Sequence, residues 1–113
     1  MKTTSEFVEN LADVFAMFGA IEARRMFGGY GIYHDDLMFA LVSDEVLYLK
    51  ADDVSAGKFT DLELRPFEYM KGGKTIRISF YAAPEELFDD PEQAQFWATC
   101  AFQAALRSRK PKK

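Results

Sequence analysis

Six consecutive positions, Leu37 to Val42, are apolar, and they lie between two polar clusters, His34-Asp35-Asp36 and Ser43-Asp44-Glu45. A short apolar run bounded by turn formers reads as a strand. Strand side chains alternate between faces, so Leu37, Phe39 and Leu41 are expected on one side and Met38, Ala40 and Val42 on the other. Both sides of this strand therefore need cover. In a two-layer fold helices cover one side only, which leaves the other for a partner or a second copy. Met38, Phe39, Ala40 and Leu41 are the candidate dimer face.

The flanking sequence supplies the layers. Thr3 and Glu6 have capping-box spacing, and Phe7, Val8, Leu11, Val14, Phe15 and Phe18 then recur at helical intervals before Gly19. This predicts a first helix over 4–18. The aromatic, glycine-rich stretch Phe27 to Tyr33 suits a bulged strand, and Val46 to Lys50 a returning one, so 27–50 reads as an antiparallel meander. Asp52 or Asp53 can cap a short second helix reaching Phe59 or Asp61. Phe67–Met70 and Lys74–Tyr81 form a hairpin around Lys71-Gly72-Gly73, with Ile76, Ile78 and Phe80 on one face. Pro84 opens a helical turn to Phe88. Asp90 and Pro91 then start a last helix whose stripe is Ala94, Trp97, Ala98, Ala101, Phe102 and Ala105. The expected fold is α+β: a five-stranded antiparallel sheet with helices on one face, in the order α-β3-α-β2-α.

A chain of 113 residues with 49% apolar and 28% charged composition is one ordinary globular domain, large enough to fold without staples. Its single cysteine, Cys100, excludes a disulfide scaffold and fits a reducing compartment, so the expected location is cytoplasmic. Acidic residues interrupt the N-terminal apolar positions, and no run reaches membrane-spanning length, so neither a signal peptide nor a membrane is expected. The last seven residues hold five of the 14 basic residues and no acid. The other nine face 18 acids, so the body over 1–106 carries about −9 and 107–113 reads as a basic, solvated tail. Nucleic acid is an unpromising partner for such a body by itself, because phosphate binding leaves a basic footprint.

Site chemistry is sparse. Gly28-Gly29-Tyr30-Gly31 lacks the strand-then-helix context of a dinucleotide loop, and Gly73-Lys74-Thr75 lacks the upstream glycine of a phosphate loop. His34, the only histidine, is read as a solvated turn residue, and Cys100 as a buried, inert thiol without a histidine to activate it. Acid pairs such as Glu85-Glu86 and Asp89-Asp90 mark helix starts. No catalytic group, cofactor or metal is expected. Arg24 and Arg25, with Arg65 and Arg77, are the one candidate anion or partner contact.

The stretch Arg24-Arg25-Met26-Phe27-Gly28-Gly29-Tyr30-Gly31-Ile32-Tyr33 resembles the signature of the TfoX (Sxy) N-terminal domain family. The resemblance continues through Met38–Val42, Leu47–Asp53, Arg65–Tyr69 and Ile78–Pro84, in order. Met26, Phe27, Gly28, Gly29, Tyr30 and Gly31 form its signature loop. The resemblance implies a secretion-chaperone-like α+β fold and no catalytic residues. It also implies a non-enzymatic role in regulating competence for DNA transformation, exerted by helping a cyclic-AMP receptor-type activator at its promoters. Full-length regulators of this kind carry a further helix-hairpin-helix domain, and the chain reads as a stand-alone N-terminal domain. The expectation is thus a regulatory, protein-contacting module, with a transcription regulator as partner and a homodimer through the sheet. The alternative is weak nucleic-acid binding through Arg24, Arg25, Arg65, Arg77 and the tail.

Overall fold

A computed structural model describes residues 5–26 and 29–109. The elements run α1 (Ser5–Val14), β1 (Glu22–Met26), β2 (Gly29–His34), β3 (Leu37–Ser43), β4 (Val46–Lys50), α2 (Ala56–Thr60), β5 (Pro66–Lys71), β6 (Lys74–Ala82), a 3-10 turn (Glu85–Phe88) and α3 (Pro91–Ser108). All strand pairs are antiparallel, and the sheet order is β1-β2-β3-β4-β6-β5.

The sheet therefore has six strands rather than five. The added strand is β1, Glu-Ala-Arg-Arg-Met, whose four leading residues are exposed. It shows no apolar alternation because it is an edge strand. Its order comes from backbone pairing with β2, from Glu22 opposite Tyr33 to Met26 opposite Gly29. Charged side chains on such an edge discourage pairing with other chains.

Two-residue turns join the central strands. Asp35 and Asp36 have φ of 50° and 63°, and Asp44 and Glu45 have 52° and 62°. These left-handed pairs match strand twist in a tight hairpin, although glycine or asparagine is the usual occupant. In the β5–β6 hairpin glycines take those positions, with φ of 59° at Gly72 and 78° at Gly73.

The helices follow the sequence pattern with shorter limits. α1 ends at Val14, and the next residues continue as turns, with the Gly19 amide donating to the Phe15 carbonyl at 3.0 Å. The proposed cap at Thr3 lies outside the described residues. α3 begins as expected: the Asp90 carboxylate accepts from the Glu92 and Gln93 amides at 3.0 and 3.3 Å, with proline at the start of the helix. Trp97 is buried. α3 runs through Ser108, so Arg107 and Ser108 are helical, and 107–109 are exposed. Residues 110–113 lie outside the described residues.

The alternation expected for β3 is overturned by a β-bulge. Ile32 pairs with Ala40 but Tyr33 pairs with Met38, so Phe39 has no opposite number. The extra residue shifts the side-chain phase. Phe39 and Ala40 are both fully buried in the helix-side core. The Phe39 ring lies 5.7 Å from Phe15, 5.1 Å from Phe18 and 6.5 Å from Phe102. Leu37, Phe39, Ala40 and Val42 thus face the helices, whereas Met38, Leu41 and Ser43 line a cavity on the other side. The candidate dimer face is accordingly split, because Phe39 and Ala40 are core.

This phase shift sets the outcome of substitution. Phe39→Ala should cost about 3–5 kcal/mol, the range for deleting a buried aromatic ring. Met38→Glu, on the half-buried opposite face, should stay within about 1–2 kcal/mol of wild type. Urea denaturation of the two variants checks this, and equal losses would contradict the assignment of faces.

Candidate functional site

The sheet is strongly curled. Residues from β1, β2 and β3 (Met26, Gly29, Tyr30, Met38, Leu41, Ser43) and from β5 and β6 (Phe67, Tyr69, Met70, Lys71, Ile78) line one cavity of about 520 Å³. β1 and β5 are the two edges of the sheet, so both ends bend toward each other over the face that carries no helix. Aromatic packing props up the far wall: Phe67 lies 4.8 Å from Tyr48 and 6.1 Å from Tyr69. Burial pushes the Tyr48 phenol up, with the Asp44 charge adding to the effect and Arg65 opposing it.

Two glycines of the signature loop shape the cavity, Gly29 as part of its lining and Gly31 beneath two of the methionines that line it. A β-carbon at Gly29 would sit 2.1 Å from the Val42 carbonyl oxygen, so β2 and β3 approach too closely there for any side chain. A β-carbon at Gly31 would lie 2.7 Å from the Met38 sulfur and 2.8 Å from the Met26 sulfur. The missing side chain is what lets these two thioethers converge over β2. Of the other loop residues, Tyr30 is half-buried, and Phe27 and Gly28 lie outside the described residues.

The four arginines are not gathered into one patch. Arg24 shares the Met26 face of β1, where it donates to Glu22 at 3.2 Å and Asp36 at 2.9 Å and covers the Tyr33 ring at 4.1 Å. Hydrogen bonding to Glu22, then to Asp36, raises its pKa against the opposing effect of burial. Arg77 projects from the opposite side of β6 to Ile78 and donates to Glu68 at 2.7 Å. Arg25 and Arg65 are exposed and have no ion-pair partner among the described residues.

His34 is not a solvated turn residue. It ends β2, its ring lies 4.7 Å from Phe18 and 5.0 Å from Phe102, and its side chain is 22% exposed. Its Nδ1–H donates to the Ala20 carbonyl at 2.6 Å, which makes the ring a clamp between β2 and the loop after α1. Gly19, at φ 148°, gives the ring room: a β-carbon there would lie 2.9 Å from His34 Cε1. Cys100 is half-buried, and burial raises its thiol pKa, which lowers its reactivity.

The sequence reading missed an ion pair that ties the turn before α2 to α3. Arg107 donates to Asp52 Oδ2 at 2.6 Å and Oδ1 at 3.0 Å across 55 residues of sequence. Asp52 Oδ1 also accepts from the Val54 and Ser55 amides, each at 3.1 Å. The Arg107 contact, opposed by burial and aided by Ser55, holds the Asp52 carboxyl down at about 2. Ser55, not Asp52 or Asp53, is the N-cap residue of α2, and it makes no side-chain cap bond; Asp52 holds the turn before the helix instead, and its Arg107 partner carries no local signal.

Among the described residues no group of three potential metal ligands gathers, and no helix is long and apolar enough to cross a membrane. The TfoX N-terminal domain profile matches residues 13–105, which include every residue of the groove lining. The chain is 31% identical over 97 residues to "Protein Sxy" of Escherichia coli, covering 86% of this chain and 46% of that protein. It is 27% identical over 81 residues to "DNA transformation protein TfoX1" of Aliivibrio fischeri, covering 72% and 39% respectively. To "DNA transformation protein TfoX" of Haemophilus influenzae it is 28% identical over 85 residues, covering 74% and 39%. The chain spans less than half the length of each relative.

Two outcomes follow from this geometry. Gly29→Ala should fail to fold as wild type, measured by thermal melting, because the obstacle is backbone. Asp52→Asn should lower stability by about 1 kcal/mol at neutral pH, the value of a partly exposed charge-assisted contact. A lowered carboxyl pKa stabilises above the unfolded value and is lost as pH falls. The wild-type advantage should therefore be complete above about pH 4–5 and shrink toward the folded value of about 2, as read from denaturation midpoints across pH.

Proposed function

The chain belongs to the TfoX N-terminal domain family, and from that premise we propose that it is a non-enzymatic regulatory module of bacterial DNA transformation that acts through protein contacts. The observation that carries this reading is the match over residues 13–105, together with relatives whose names state DNA transformation. The contact surface in this reading is the concave sheet face. It offers Met38 and Leu41 from the candidate dimer face, with Met26, Phe67 and Ile78 beside them. Apolar surface of this kind is what a partner desolvates, and methionine adapts its shape to what it meets. The partner is a cytoplasmic regulator of transcription, or a second copy of the chain.

The nucleic-acid alternative has weaker support. Arg24 and Arg77 are each neutralised by acids, and they point to opposite faces of the sheet. Binding to duplex DNA would then rest on Arg25, Arg65 and the terminal cations against an acidic body.

Met38→Glu, expected to cost no more than about 1–2 kcal/mol of stability, should lower transformation frequency at least about tenfold in a transformable host carrying this chain, as expected for a contact at the centre of an interface. Wild-type frequency from a normally accumulating Met38→Glu protein would sink the assignment of this face. Arg25→Glu should leave the frequency unchanged, and a loss there would favour the nucleic-acid reading.

A further inference from the structure

We propose that the groove is a binding site for a small monoanionic amphiphile, with an unbranched acyl chain lying along its floor and a carboxylate at Lys71. The inference goes beyond the regulatory reading but concerns the same face, so such a ligand would compete with a docked protein.

Size and lining set the chain. A cavity of about 520 Å³ falls within the range of small-molecule sites. Its walls are Met26, Met38, Leu41, Phe67 and Ile78, with Gly29 in the lining and the Met26 and Met38 thioethers drawn together over Gly31. Flexible thioethers accommodate a narrow alkyl chain better than rigid side chains do. The hydroxyls of Tyr30, Ser43 and Tyr69 are the few polar groups that such sites use for orientation.

Charge sets the head group. The chain holds 18 acids, yet none of the eleven described residues that line the groove is acidic, and the one charged group among those described is Lys71. Lys71 stands directly opposite Lys74 in the β5–β6 ladder. Like charges in that position repel, and neither lysine has an ion-pair partner among the described residues. An anion at the hairpin end of the groove relieves that repulsion. A cationic or neutral amphiphile of equal length gains only the apolar contact. A second copy would bring its own acidic body to the same face.

The test uses the full chain with its methionine methyl groups labelled for NMR. Dodecanoate and dodecylammonium are titrated separately below their micellar concentrations, and dodecanol below its solubility limit. Dodecanoate should shift Met26, Met38 and Met70 while leaving Met17, which does not line the groove, unmoved. It should bind about tenfold more tightly than dodecylammonium, and Lys71→Glu, an exposed substitution, should reverse that order. Equal affinities, shifts that include Met17, or no saturable binding would each overturn the proposal. So would sedimentation showing a wild-type dimer whose groove excludes all three probes. The measurement needs no transformation assay: a failed titration beside a Met38→Glu phenotype removes the ligand and leaves the regulatory reading, and the reverse result separates them the other way.

Discussion

The bulge at Phe39 is the constraint on which both layers depend. β3 lies inside the sheet, between β2 and β4, and must supply side chains to a helix-covered face and to an uncovered one. With strict alternation Ala40 would face away from Phe39. The inserted residue turns both toward the helices, where the Phe39 ring meets Phe15, Phe18 and Phe102. That aromatic cluster joins the turns after α1, β3 and α3 into one core. Burying a ring of this kind is worth roughly 1.5–3 kcal/mol by transfer alone, and tilted ring pairs add to it. His34 borders the same cluster and fastens it to the loop through the Ala20 carbonyl.

The same shift decides what the other face holds. Met38 and Leu41 come to lie on the concave side, where β5 and β6 curl back toward them. The two signature glycines then have separate tasks. Gly29 permits the close approach of β2 to the Val42 carbonyl, and Gly31 leaves space that the Met26 and Met38 thioethers occupy. Both tasks are apolar packing and close strand approach, in keeping with a stretch that lacks the context of a phosphate loop. The result is a groove with apolar walls and a lysine at one end, on a molecule that is otherwise acidic.

Several charged residues on the remaining surface act as fasteners. Arg24 bridges Glu22 and Asp36, and Arg77 joins Glu68 across the β5–β6 ladder. Arg107, near the end of α3, clasps Asp52, which also holds the turn before α2. Exposed pairs of this kind add little stability singly, but they consume cations that a polyanion would need.

Much of the fold is written locally. The helical period of Val8, Leu11 and Phe15, the Asp90-Pro91 start of α3 and the glycine turn at 72–73 each depend on neighbours in sequence, so the elements they mark were legible without coordinates. The apolar excess of residues 37–42 likewise announced a strand with two faces to cover. Tertiary structure decided what has no local signal. The pairing of β1, whose side chains are mostly exposed, comes from a backbone ladder with β2. The bulge that reassigns Phe39 is set by register against β2, and a one-residue slip in register carries side chains to the opposite face. The groove exists because edges far apart in sequence bend toward each other, and the Asp52–Arg107 pair because α2 and α3 pack at one end. Composition and periodicity specify which residues seek burial, whereas only the closed path of the chain determines which of them meet.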